Sequence, residues 1–463
     1  MGTIWPPDLE SITGPKYLAL IQALREAIAA GELTPGHRLP PVRNLAWDLK
    51  ITPGTVARAY RRATDDGLLD AAVGRGTFIA ETRNNTQAIQ RDSLHLGSSN
   101  SKYDLRGTKT PDFGQDAMIR EALANIIQTG IHDFADYPDP DHSKPALQAI
   151  ADWLKYTDMQ PDPENIALTY GAQNAMLIAL QTILAGPAPV IVTDELVYPG
   201  LRHAANMLRA EIVSVERDTE GMIPDALEQT CRRHGPQVLV SSFTIHSPTT
   251  QTTTLERRIA LARVATKYEL QIIDDDAFGI FSSDTPSMQT IAPERLWYIG
   301  ALSKSVSTGL RIGYLITPTG HGPAARTTVL SNCYGVSQII CDLTTHLIRS
   351  GKAEAIRQRM LAFNAHRSRI AANILGQWNI NWNPNVPFIW LQMPSGWRAS
   401  SFQRACEQQN VLVRPADEFA LIDGKAPNAA RVTFGSKLSD SEFEAALYAI
   451  AKVLETRPAM NEL

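Results

Sequence analysis

Three short apolar runs constrain most of what the chain beyond residue 104 can become. "PVIVTDE", "VLVSSFT" and "LQIIDDDAF" are rich in valine, isoleucine and leucine, and each ends in polar residues. Runs of this length and composition read as strands buried on both faces. Between them lie segments such as "TLERRIALARVATKY", whose apolar residues recur at helical spacing. Strand and helix in alternation argue for an α/β domain built on a mostly parallel sheet. "GKAEAIRQRMLAFNAHRSRIAANIL" then reads as one long helix, and the rest of the chain, ending in "FEAALYAIAKVLETRP", as a small α/β lobe.

The first part of the chain follows a different pattern. "YLALIQALREAIAAG" is an amphipathic helix ending at Gly31, a C-cap signal. "LPPVRNLAWDL" starts a second helix behind a proline, "KITP" turns the chain, and "GTVARAYRRATDDGLL" gives a third. Helix, short turn, helix is an arrangement whose second helix can lie in the major groove of DNA. Thr55, Arg58 and Arg62 share one face of that helix, whereas Arg61 lies off it. Arg43, on the helix before, joins them as a DNA-contact candidate, and Arg75 sits at the glycine-flanked tip of a two-stranded wing, "VGRGTFI". Arginines in such places suit phosphate and guanine contacts. Residues 83–103, "RNNTQAIQRDSLHLGSSNSKY", have linker composition; the alternative is a long surface loop within one domain. The expected division is therefore 1–82, 83–103 and 104–463.

Whole-chain properties narrow the partners. A net charge of −4 gives no general attraction to nucleic acid, so DNA contact must come from a local patch. The four cysteines, Cys231, Cys333, Cys341 and Cys406, lack metal-type spacing and fit reduced thiols in a cytosol; no metal site is expected. No apolar run nears ~18 residues and no signal-peptide core opens the chain, so a cytoplasmic protein without a membrane partner is expected.

A second set of residues points to cofactor chemistry. In "GALSKSVSTGLRIG", Lys304 can form an imine with an aldehyde, and Arg311, seven residues on, can clamp a phosphate. "IIDDDAFG" ends a strand in three aspartates, of which Asp275 is the best placed by register to face a pyridinium nitrogen and keep the ring an electron sink. "LTYGAQNAMLIALQTIL" reads as strand, turn and helix, with Ala172 and Gln173 at a helix N-terminus whose free amides seat a phosphate. Tyr198 can stack on a flat ring, and Arg431, in the strand of "NAARVTFG", suits a substrate carboxylate.

The N-terminal motif, from "AIAAGELTPGHRLPP" to "AAVGRGTF", resembles the winged helix-turn-helix of the GntR family, over about seventy residues. The segments from Asp104 onward resemble, in order, fold-type-I pyridoxal-phosphate (PLP) proteins of the aspartate aminotransferase group. The two together are similar to the MocR (GabR-like) regulators. That resemblance implies PLP on Lys304, Asp275 at the ring nitrogen and phosphate contacts from Ala172, Gln173 and Arg311, with Ser303 as a further candidate. It also implies an α-carboxylate partner at Arg431, a homodimer in which Tyr137 reaches the neighbouring subunit's phosphate, and a double-stranded DNA operator. The effector would be PLP itself or an amino acid-like compound.

Four positions depart from the family pattern. Ser247 stands where an asparagine would bond the ring oxygen, and Thr250 where a glycine is usual. Phe278 replaces a tyrosine that reaches the same oxygen, and Ala301 replaces a hydroxyl that contacts phosphate. Anchors survive while groups that tune the cofactor are weakened, which fits a regulator with a degenerate enzyme domain better than fast turnover. No catalytic residue is assigned. Half-transamination stays open, and a working aminotransferase carrying a DNA-binding head is the alternative reading.

Overall fold

Side-chain alternation along the central strands builds two cores, one on each face of one sheet. In the strand Leu296–Ala301, Leu296 and Tyr298 join one core while Trp297 and Ile299 join the other. Ile272 and Ile273 divide in the same way, as do Val192 and Ile191. That period of two is the geometry of a strand buried on both faces. In the computed structural model this gives a seven-stranded sheet in the order 166–169, 313–316, 296–301, 271–275, 238–241, 190–194, 211–215. Gly313–Ile316 runs antiparallel to both neighbours, and the remaining pairs are parallel. The structure describes residues 16–29, 32–34, 36–65, 68–72, 76–79, 101–128, 137, 140–278, 285–421, 426–435 and 437–456.

The chain separates into two units, residues 1–93 and 94–463. In the second, a four-stranded antiparallel sheet forms the small lobe, in the order 380–382, 388–392, 429–433, 414–415. The long helix Lys352–Leu375 and the helix Asp440–Glu455 pack against it. Tyr103–Asp104 pairs in parallel with Val411–Leu412. Tyr103 is thus a strand residue rather than the end of the linker; two backbone bonds to the small lobe decide it, and the polar composition of "NSKY" gives no sign of them.

In the first unit, helices Lys16–Ala29, Val42–Asp48 and Pro53–Asp65 enclose a core containing Leu20, Leu24, Leu45, Val56 and Tyr60. The third helix stops at Asp65 instead of running through "GLL", because Leu69–Ala72 is a strand paired antiparallel with Gly76–Ile79. Gly31 and Arg75 lie outside the described residues. No described helix is long and apolar enough to cross a membrane.

One contact couples the sheet to its loops. A Cβ on Gly313 would lie 2.5 and 2.6 Å from the Gly171 backbone and 2.8 Å from the Thr169 hydroxyl. Backbone cannot yield as a flexible side chain can, so Gly313→Ala should overpack the site and cost about 1–3 kcal/mol. A lowered urea midpoint at unchanged slope checks this; an unchanged midpoint would contradict it.

Candidate functional site

The carboxyl ends of the parallel strands open on one side of the sheet, the usual place for a ligand in such folds. Helix Ala172–Ile183 begins here, behind Gly171 at φ 83° and ψ 170°. Its first amides, those of Ala172 and Gln173, have no partner within the helix and form an anion seat. Arg311 lies against this turn, its Nη2 donating to the Tyr170 carbonyl at 3.3 Å. A Cβ on Gly171 would stand 2.6 Å from that same nitrogen, so the glycine both supplies the left-handed turn and admits the guanidinium. Ser303 is buried, and its Oγ has no partner among the described residues. Gln173 belongs to the seat through its amide, because its side chain donates to the Gly200 carbonyl at 3.0 Å.

The strand Gln271–Asp275 sorts the three aspartates by parity. Asp275 falls on the same side as Ile273, facing the cleft with Tyr198, Ser242 and Ser247. Its Oδ1 is sealed from solvent and unpartnered among the described residues. Poor hydration raises this carboxyl to about 6, with the Ala277 amide pulling the other way. Asp274 and Asp276 point to the opposite face. Asp274 accepts from the Phe243 amide at 3.2 Å, and Asp276 accepts from the Tyr298 hydroxyl at 3.1 Å.

Lys304 extends from the turn after the strand Leu296–Ala301, and its Nζ donates to the Thr108 carbonyl at 2.6 Å. Burial, then Arg431 and Arg311, push its amine down to about 8. An amine whose pKa is lowered toward physiological pH keeps a larger neutral fraction there and is the better nucleophile for it. The Phe278 ring lies 5.9 Å from Nζ and is edge-packed on Phe388 at 5.4 Å, so the cleft receives an apolar ring and no hydroxyl there. Ala301 is buried and supplies no hydroxyl either.

Arg431 is 5% exposed, yet no carboxylate pairs with it among the described residues. It donates from Nη1 to Ser247 Oγ and from Nη2 to the Arg106 carbonyl, both at 3.2 Å, and its Nε has no partner. Burial, then Arg414, lower it to about 9, with Glu418 opposing. A buried cation held only by neutral groups is costly, and an incoming anion would relieve it. Ser247, expected near a ring oxygen, is engaged by Arg431 here. Thr250 has φ 64°, the left-handed region, which explains why glycine is usual at that place.

Sequence reasoning missed the carbonyls of Thr108 and Arg106, since any residue can supply one. It also missed a buried support under the 246–250 loop. Arg217 Nη1 lies 2.6 Å from His246 Nδ1, and Nη2 donates to Gln251 at 2.7 Å. Burial, then Arg217, keep His246 well below its ordinary pKa, hence neutral. Tyr137 is exposed and stacks on Tyr334 with ring centres 5.1 Å apart.

These features admit pyridoxal phosphate. An open hydroxyl and free amides suit its phosphate, an orphaned carboxylate oxygen suits its ring nitrogen, and a lysine with a lowered pKa suits its aldehyde. Among the described residues no group of His, Cys, Asp or Glu could hold a metal ion.

On the first unit, Thr52 caps the helix Pro53–Asp65, its Oγ1 accepting from the Thr55 amide at 3.2 Å. Arg43 is exposed on the preceding helix. Arg58 is exposed too, but its guanidinium lies 4.1 Å from the centre of the Tyr17 ring. Arg62 is on the helix, and its side chain lies outside what the structure describes.

Residues 93–450 match the family described as aminotransferase class I and II, and residues 16–79 match the bacterial regulatory proteins of the gntR family. The chain is 25% identical over 453 residues to the HTH-type transcriptional regulator YdeF of Bacillus subtilis, covering 97% of both chains. It is 28% identical over 442 residues to the vitamin B6 salvage pathway transcriptional repressor PtsJ of Salmonella typhimurium, covering 93% of this chain and 96% of that one. Among solved structures, an archaeal alanine:glyoxylate aminotransferase superposes with a TM-score of 0.67 at 24% identity, covering 80% of this chain and 93% of its own.

The lysine environment makes a prediction about pH. Attack on an aldehyde needs the neutral amine, so PLP capture should accelerate as pH rises through about 8 instead of the ordinary lysine value of 10.5. Arg431→Met removes a neighbouring positive charge and should move that midpoint to higher pH. Stopped-flow absorbance across pH measures both; a wild-type midpoint near 10.5 would contradict the assignment.

Proposed function

The chain belongs to the aminotransferase class I and II family over residues 93–450 and carries a gntR-family segment ahead of it, and on that premise we propose a PLP-dependent transcriptional regulator of the MocR type. The observation that carries this reading is the union, in one chain, of a capped helix-turn-helix with a cleft that fits PLP yet offers Phe278 where a hydroxyl would tune it. The vitamin B6 connection in the name of PtsJ supports it. PLP, when bound, supplies an electrophilic carbon and an electron sink.

The chain's own groups then have separate tasks. Lys304 holds the aldehyde carbon. The Ala172 and Gln173 amides, Arg311 and Ser303 hold the phosphate, Asp275 holds the ring nitrogen's proton, and Tyr198 covers the ring. Arg431 takes an effector carboxylate, an exchange of two neutral acceptors for an anion. The expected working form is a homodimer, with Tyr137 completing the partner's phosphate site. Binding at Arg431 would alter operator affinity provided the two arrangements differ in effector affinity.

A working aminotransferase is the second reading, favoured by the survival of Lys304, Asp275 and Arg431 together. Amino acid that converts the bound cofactor repeatedly when a keto acid is supplied would support it; a single partial conversion would not.

Two outcomes are expected for the regulator. Borohydride should fix PLP to Lys304 by mass spectrometry, and Lys304→Ala should lose that adduct while remaining folded; an adduct on another lysine would reject the site. Arg43→Ala or Thr55→Ala should each cost about 1–3 kcal/mol on the specific operator and less on random DNA. Equal loss on both sequences would reassign the residue to phosphate contact, and no loss on either would reject the DNA-binding face.

A further inference from the structure

The small lobe holds two buried arginines directly opposite one another. Arg414 and Arg431 are register partners on adjacent antiparallel strands, so their side chains leave the same face. They are 9% and 5% exposed. Their guanidinium carbons lie 5.1 and 4.7 Å from the centre of the same Phe419 ring. Like charges directly opposed on a sheet repel, and burial strengthens the repulsion.

Only one carboxylate answers these two cations among the described residues. Arg414 Nε donates to Glu418 Oε2 at 2.6 Å, and the Glu418 side chain is 36% exposed. The terminal nitrogens of Arg414 carry no hydrogen bond to the protein among the described residues, which leaves them available for a bidentate grip. Arg431 reaches the cleft through its bond to Ser247, which lines it with Asp275 and Tyr198, and Arg414 stands directly opposite Arg431. Arg202 donates to the Glu418 carbonyl at 2.8 Å and so fixes the backbone from which the carboxylate swings.

We infer that Arg414 is a second anion-reading residue, and that the effector is an amino acid bearing a second acidic group. This rests on the proposed role of Arg431, which takes the first carboxylate. The second anion takes the free terminal nitrogens of Arg414, and its charge repels the neighbouring Glu418 carboxylate, whose exposure lets it turn into water. Two negative charges then meet two buried positive ones, and an amide in place of the second acid would leave the Arg414–Glu418 pair unbroken.

The test uses the full-length PLP-loaded protein with L-aspartate and L-glutamate against L-asparagine and L-glutamine, read as the change in cofactor absorbance on titration. The acids should bind at least about tenfold more tightly than their amides, the factor expected for one charge-assisted pair. Arg414→Gln should abolish that preference while leaving amide binding and the borohydride adduct at Lys304 intact, and Arg414→Lys should restore part of it. Amides binding as well as acids, a preference that survives Arg414→Gln, or no response to any of the four would overturn the inference. Loss of the Lys304 adduct in the wild type would instead overturn the PLP reading beneath it.

Discussion

The cleft depends on a backbone-to-backbone contact that no side chain could replace. Gly313, on the one reversed strand of the large sheet, rests on Gly171, and Arg311 lies in the space that a Gly171 side chain would occupy. Two distant segments are thereby held at van der Waals distance. One carries the anion seat at the start of helix Ala172–Ile183, and the other carries the turn from Lys304 to Arg311. The reversed strand does this because it returns the chain, directly after that turn, alongside the strand Ile166–Thr169 that feeds the seat. The start of that helix and the turn that carries Lys304, some 130 residues apart in sequence, are thus brought to the same end of the sheet.

Charge then gives this geometry its chemistry. Lys304 loses affinity for its proton because it is buried beside two cations, and Asp275 gains affinity because its oxygen lacks hydration and partners. Arg431 bears the same kind of strain, with neutral acceptors where a carboxylate would serve better. Each of these groups is poorly satisfied in the free protein, and on the proposed reading each would gain a partner from a phosphorylated pyridine aldehyde or an acidic amino compound. Phe278 and Ala301 bring no hydroxyl to this set, and the proposed sensor reading rests on that departure at Phe278.

Much of this was legible in the sequence, for identifiable reasons. Strand parity alone sent Asp275 to the cleft and its neighbours to the other face, because period two is fixed by strand geometry. Gly171 and the helix after it were placed correctly at the end of a strand, as was the buried arginine in the strand of "NAARVTFG". What stayed hidden depends on register between short, distant segments. Arg414 sits in a two-residue strand, and only its pairing with Arg431 reveals what it faces. Tyr103 became a strand residue through partners some three hundred positions away. Arg58, read as facing DNA, lies over Tyr17 of the first helix, a contact that helical periodicity on its own helix could not show.

On the proposed reading, the cofactor cleft exists to change what the N-terminal unit does. The direct measurement is the operator affinity of full-length protein with and without PLP, for the wild type and for Lys304→Arg. PLP should shift the wild-type affinity, by a factor that persists at equilibrium, and leave the Lys304→Arg affinity unchanged. Wild-type affinity that is the same with and without PLP, alongside sustained turnover of amino and keto acids, would contradict it and make the chain an enzyme that happens to bind DNA.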